Sequence, residues 1–290
     1  MVSNNSYNGN NTGGNGPDVN NGNSGRPQAP FITLIKSRIR QPQFYWFLGH
    51  LLTLYHFVRF HLSFLSIENQ NFHYSMALLY ISLTYAIVLY QFYKSGQLKF
   101  NYLIFLKQLK KLDNLQYFLM LSILFVCSNF GSMVNGSLYS PVIFSLFHCL
   151  NYFKENLLPF LPINNILKNI INNNITNFIQ NYNGYFLQMA QFFEIICALR
   201  SGLISLPIKL IKSILLFNFN SKNISSIISL CCYIWFFKLR FQQSQSMKNL
   251  FNHSLSKVDS MIPPNFLINW QHYKILVKTT FDRIPTPTSA

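Results

Sequence analysis

YSMALLYISLTYAIVLYQFY, Tyr74–Tyr93, runs for 20 residues without one charged side chain. Coiled as an α-helix it reaches about 30 Å, the depth of a bilayer's hydrocarbon core. Three further apolar stretches accompany it: Phe44–Leu65, Leu115–Val134 and Leu138–Phe153. Charged residues make up only 10% of the chain and aromatic residues 17%, too little charged surface for a soluble domain of this length. A chain in lipid must satisfy its backbone polar groups internally. The expected fold class is therefore all-α: a multi-spanning helical membrane protein with C-terminal amphipathic helices and a disordered N-terminal tail.

The organisation follows from composition. Residues 1–30 are an Asn/Gly-rich tail with nothing to bury, expected to be disordered and without the apolar core of a cleavable signal. The first span then serves as its own insertion signal. Residues 31–160 form a membrane domain with about four spans, opened by a short interfacial segment that carries Lys36, Arg38 and Arg40. The fourth run is short for a perpendicular crossing, and its Pro141 sits where a helix start tolerates proline. Residues 161–183 are an Asn-rich insertion, a surface helix or a loop. Residues 184–241 hold two further apolar segments, Tyr185–Leu206 and Ile224–Phe237, read as interfacial or re-entrant helices because Lys209, Lys212 and Lys222 fill the gap between them. Residues 242–290 are a cytosolic amphipathic tail.

Charge gives orientation. Twenty-three basic residues stand against seven acidic ones, for a formal net charge of +16. Lys94, Lys99, Lys107, Lys110 and Lys111 crowd one loop, and the positive-inside rule places that loop in the cytosol. Both termini are expected on the same side. Basic residues placed between and after apolar runs suit anionic headgroups, not a nucleic-acid groove. A lipid bilayer with anionic headgroups is the expected partner, and nucleic acid is not.

Known catalytic and cofactor motifs are missing. The chain has no HExxH, no GxxxxGK, no GxSxG and no GxGxxG, and its acidic residues are too scattered to suggest a carboxylate pair. Its cysteines form no CxxC. No catalytic, cofactor or metal residue is assigned. His50, His56, Arg59 and His61 in the first span are read as structural or snorkelling groups.

The tail is more explicit. Pro263–Pro264 divides two helical patterns. In the first, Met247, Leu250, Phe251, Leu255, Val258 and Met261 recur at three- and four-residue steps. The second repeats this with Phe266, Trp270, Tyr273, Val277, Phe281 and Ile284. Trp270, Tyr273, Val277 and Phe281, with Lys274 and Lys278, are the predicted membrane-interface residues, the aromatic stripe lying in lipid and the lysines at headgroup depth.

Four blocks carry a resemblance. They are Gln43-Phe44-Tyr45-Trp46-Phe47-Leu48-Gly49-His50, then Tyr139-Ser140-Pro141-Val142-Ile143-Phe144-Ser145-Leu146-Phe147-His148, then Tyr233 through Phe241, and the close Phe281-Asp282-Arg283-Ile284-Pro285. In order and spacing, over about residues 35–285, they resemble the transmembrane protein 33 family. The resemblance implies a multi-spanning, non-enzymatic protein of the endoplasmic reticulum and nuclear envelope that organises tubular membrane and nuclear-pore distribution. Reticulon-like membrane-shaping proteins, nuclear pore components or a transport receptor are the protein partners considered. A membrane adaptor, or a channel or transporter subunit with His50, His56 and Arg59 on a polar path, is the alternative.

Overall fold

The computed structural model describes residues 31–287, so the predicted disordered tail lies outside the described residues. Among those residues every regular element is helical: α1 Phe31–Ile39, α2 Pro42–Leu62, α3 Ile67–Lys94, α4 Tyr102–Lys111, α5 Asp113–Ser128, α6 Tyr139–Tyr152, α7 Asn165–Leu199, α8 Leu206–Leu215, α9 Ser221–Gln243, α10 Gln245–Met261 and α11 Leu267–Arg283. Local chemistry sets many of the starts. Pro42 opens α2, where its missing N–H costs nothing. Ser66, Asn101, Asn164, Asn220 and Ser244 each accept a hydrogen bond from a first-turn N–H of α3, α4, α7, α9 and α10.

Helices α6, α2, α3, α5 and α9 pack as consecutive antiparallel neighbours, and α7 lies against both α6 and α9. In the α2–α3 hairpin, Gly49 lets the backbones close up: a Cβ there would sit 2.5 Å from Thr84 Cγ2. Phe47 stacks on Tyr152, and Phe57 meets Tyr139, which sets α6 against α2. Tyr85 stacks on Tyr117 between α3 and α5, and Tyr117 touches Phe236 of α9. The core runs through these contacts, with Ala77, Leu78, Ile81 and Leu121 fully buried. Outward, Leu83, Tyr90, Val126, Ile224 and Ile228 stay exposed. An apolar exterior around an apolar core is the arrangement lipid requires.

The spans differ in detail from the sequence reading. Helices α3 and α9 are long and apolar enough to cross a membrane, and α5 is a shorter apolar helix. The predicted third span, Leu115–Val134, stops at Ser128, because the chain turns through Gly131 at φ +77°. In the fourth, α6 has 14 residues and passes into a π-helical turn at Phe153–Leu157. The segment read as Ile224–Phe237 extends in both directions to the 23 residues of α9. Residues 165–183 are helical, the first of the two readings, but they are not a separate element. They form the first half of the 35-residue α7, which runs unbroken across the expected boundary at 183–184. Its second half packs on the bundle, and that gives the asparagine-rich half a template to continue.

One end of the bundle collects α4, the α6–α7 turn and α10; it also carries the lysine-rich loop. The other holds the α2–α3 turn, residues 129–138, and the α7–α8–α9 connection.

Candidate functional site

The tail folds back onto the lysine-rich end. Met247 of α10 is fully buried, and Ser246 Oγ donates to Gln191 Oε1 of α7 at 3.0 Å. Phe251 meets Phe241 edge-on. Beyond the Pro263–Pro264 break, α11 runs back along α10 and α9. Phe281 contacts both Phe237 and Phe241 of α9. Lys238 of α9 is 3% exposed, and its ammonium donates to the carbonyls of Phe281, Asp282 and Ile284 at 2.7, 2.9 and 2.7 Å. Trp235 Nε1 adds a bond to the Pro285 carbonyl at 3.0 Å. A cation at a helix C-terminus satisfies carbonyls left unpaired there and suits the dipole.

The predicted interface residues fall into two sets. Trp270, Lys274, Val277 and Phe281 are half-buried and turned toward the protein, while Tyr273 and Lys278 are exposed. Trp270 Nε1 donates to Asp259 Oδ1 at 2.5 Å, and Lys274 Nζ lies 2.9 Å from both oxygens of that carboxylate. These two donors hold the Asp259 carboxyl below its ordinary range. Trp270 also stacks on Tyr273. The exposed apolar face of α11 is another one, formed by Ile268, Ile275 and Leu276, at 71%, 61% and 63% exposure. Sequence periodicity identified an apolar stripe on α11; it did not distinguish the stripe facing the protein from the one facing out. Isoleucines at i and i+7 next to a leucine at i+8 were the available signal.

A second polar assembly lies inside the bundle. Glu194 of α7 is 2% exposed. It accepts hydrogen bonds from the Tyr117 hydroxyl of α5 and from Ser140 Oγ of α6, the latter at 2.6 Å. Arg240 of α9 places Nη1 2.7 Å from Asp113 Oδ2 and Nε 3.8 Å from Glu194 Oε2. Its guanidinium lies over the Tyr117 ring. Gln116 and Gln243 join α5 to α9 beside it, at 3.0 Å. Asp113 and Glu194 are 81 residues apart, and sequence reading saw no carboxylate pairing; one arginine brings both to α9. Glu194 within an apolar stretch was the signal that pointed here.

The first-span histidines sit against side chains on neighbouring helices. His50 Nδ1 lies 2.9 Å from Ser145 Oγ, and His56 Nδ1 lies 3.0 Å from His73 Nδ1. Trp46, His50 and His148 form a ring cluster. Arg59 and His61 are exposed near the end of α2. Among the described residues, no group of three or more His, Cys, Asp or Glu side chains is arranged to hold a metal ion.

The family model described as transmembrane protein 33/nucleoporin POM33 matches residues 27–262. The chain is similar to the Saccharomyces cerevisiae "Pore and endoplasmic reticulum protein of 33 kDa", at 54% identity over 266 residues, covering 90% of this chain and 97% of that protein. No solved structure matches.

Proposed function

The chain belongs to the transmembrane protein 33/nucleoporin POM33 family, a family of endoplasmic-reticulum and nuclear-pore membrane proteins, and from that premise we propose that it organises membrane without catalysis. In this reading it is a multi-pass protein of the endoplasmic reticulum and nuclear envelope. Its lysine-rich end and both termini face the cytosol, and it shapes tubules and distributes pores.

The observation that carries the reading is the exposed Ile268–Ile275–Leu276 face of α11 at the lysine-rich end. An apolar helix face beside cations is suited to a leaflet of anionic headgroups, where each nearby cation contributes about 1 kcal/mol. Held by Lys238, α11 works as a wedge on a short tether. Trp270, Val277 and Phe281 would enter lipid only if α11 left its dock, whereas Tyr273 is exposed already.

The test is reconstitution of the full chain into vesicles with and without anionic lipid, with vesicle diameter read by electron microscopy. Wild type is expected to narrow anionic vesicles, and Ile268→Asp with Ile275→Asp to abolish the narrowing. If that variant narrows vesicles as well as wild type, the face serves a protein partner and the adaptor reading takes its place. Ion flux through the same vesicles would favour the channel reading.

A further inference from the structure

At the end away from the lysine-rich loop, a cavity of about 620 Å³ opens between α3, residues 131–135, the α7–α8 junction and α9. That volume falls within the roughly 300–1,000 Å³ of small-molecule clefts. Three cations line it, Arg200, Lys209 and Lys222, each from a different stretch of the chain's last third. None of them has an ion-pair partner within 4.0 Å among the described residues, where ion pairs form only at Arg240 and Lys274. Glu68 and Asn71, one helical turn apart on α3, line another wall. The Asn71 side-chain amide donates to the Ser128 carbonyl at 3.2 Å. Its Oδ1 is buried and meets no donor. A buried acceptor left without a donor costs about 1–3 kcal/mol.

The backbone adds its own indication. Residues Arg200–Ser205 form a π-helical segment between α7 and α8. One extra residue per turn brings Arg200, Ser201 and Ser205 to the cavity together. Such bulges recur at functional sites because they re-aim side chains at a cost in helix stability. Next to the cavity, Ile204 of the π-helical segment and Ile208, Ile211 and Leu215 of α8 face outward, at 56% to 72% exposure. The site thus has a cationic group, a separate acceptor group and an adjoining apolar surface.

We propose that this cavity binds a phosphate group carrying a nearby amine, the headgroup chemistry of an aminophospholipid. The phosphate lies among Arg200, Lys209 and Lys222, whose guanidinium and ammonium groups are the usual partners of phosphate oxygens. The ammonium lies against the exposed carboxylate of Glu68. Acyl chains run down the α8 surface. The assignment uses none of the tail residues and does not depend on which side of the membrane this end faces.

The experiment uses the full chain in detergent, with bound lipid counted by native mass spectrometry after addition of phosphatidylethanolamine, phosphatidylcholine or phosphatidylglycerol. Wild type is expected to retain phosphatidylethanolamine above the other two. Arg200→Gln with Lys209→Gln and Lys222→Gln should lower retention of all three about tenfold. Glu68→Gln should leave total retention and erase the preference for the amine. The charge-keeping variant Lys209→Arg with Lys222→Arg should retain lipid, and it guards against loss of fold in the triple variant. Soluble phosphoethanolamine is the second probe. Displacement of the lipid in wild type points to a free ligand and its failure to a lipid-anchored one, the site itself being judged by the triple variant. Equal lipid retention by wild type and the triple variant, with both folded, overturns the proposal. So does an unchanged headgroup preference in Glu68→Gln.

Discussion

At the end built from α4 and α10, Arg240 and Lys238 are buried, and protein groups surround both. At the opposite end Arg200, Lys209 and Lys222 border a cavity with no acidic partner within 4.0 Å. The same residue types therefore do different work 16 to 40 positions apart in sequence. Buried cations at the first end join helices that are distant in sequence. The cations at the second end are spare, in the sense that none has an ion-pair partner within 4.0 Å among the described residues. Desolvation draws that line. A cation removed from water must be compensated inside the protein, whereas one on a wet rim need not be.

The largest effect should come from breaking the compensated end. Arg240→Met leaves Glu194 buried with two neutral donors and Asp113 unpaired, and is expected to cost about 3–5 kcal/mol. Thermal unfolding in detergent measures it. Combining Arg240→Met with Glu194→Gln should recover a large part, because the buried charge goes with its partner; no recovery would mean that packing against Tyr117, not charge, makes Arg240 necessary.

A smaller loss is expected at Lys238. Replacing it with Met removes three charge-assisted bonds to the α11 terminus, at about 1.5–3 kcal/mol for such a contact. The loss should appear locally, as faster protease cleavage after the Pro263–Pro264 break, with the bundle intact. Cleavage at the wild-type rate would show that the Phe281, Trp235 and Asp259 contacts hold the dock without Lys238.

Acid gives a gentler probe of the same end. Because Trp270 and Lys274 hold the Asp259 carboxyl low, its contribution is complete above its ordinary value of 3.8 and is lost as pH falls below that. Trp270 fluorescence should report loosening of α11 from α10 only in that acid range. Asp259→Asn should show the loosened signal at every pH. A wild-type change already present at pH 5 to 6 would point to another group.

The smallest effect belongs to the spare end. Lys222→Met should change stability by no more than about 0.5 kcal/mol, as for most exposed positions. A loss near that of Arg240→Met would remove the contrast between the ends.

How much of this was readable in the sequence depends on range. Tyr74–Tyr93 has no charge to contradict a buried helix, and α3 covers it. Pro263–Pro264 separates α10 from α11 because proline supplies no N–H and restricts the residue before it. By contrast, Leu115–Val134 looked continuous; its break depends on a turn at Gly131 that hydropathy does not register. Asparagine's weak helix propensity left the first half of α7 open between helix and loop, where tertiary packing further along overrides it. The Asp113–Arg240–Glu194 assembly joins three helices, and no local pattern encodes which of them meet. On α11 the periodicity was legible, but two apolar stripes shared one helix, and only the position of Lys238 and Asp259 decides which turns inward.

The grip of Lys238 on the carbonyls of residues 281 to 284 also has a consequence in time. A ribosome makes those residues some 43 to 46 positions after the lysine. At roughly 5–20 residues per second, this interval is about 2–9 s. Throughout it the Lys238 ammonium has none of its final partners. Helix α11 thus completes a polar environment that α9, made seconds earlier, cannot complete alone.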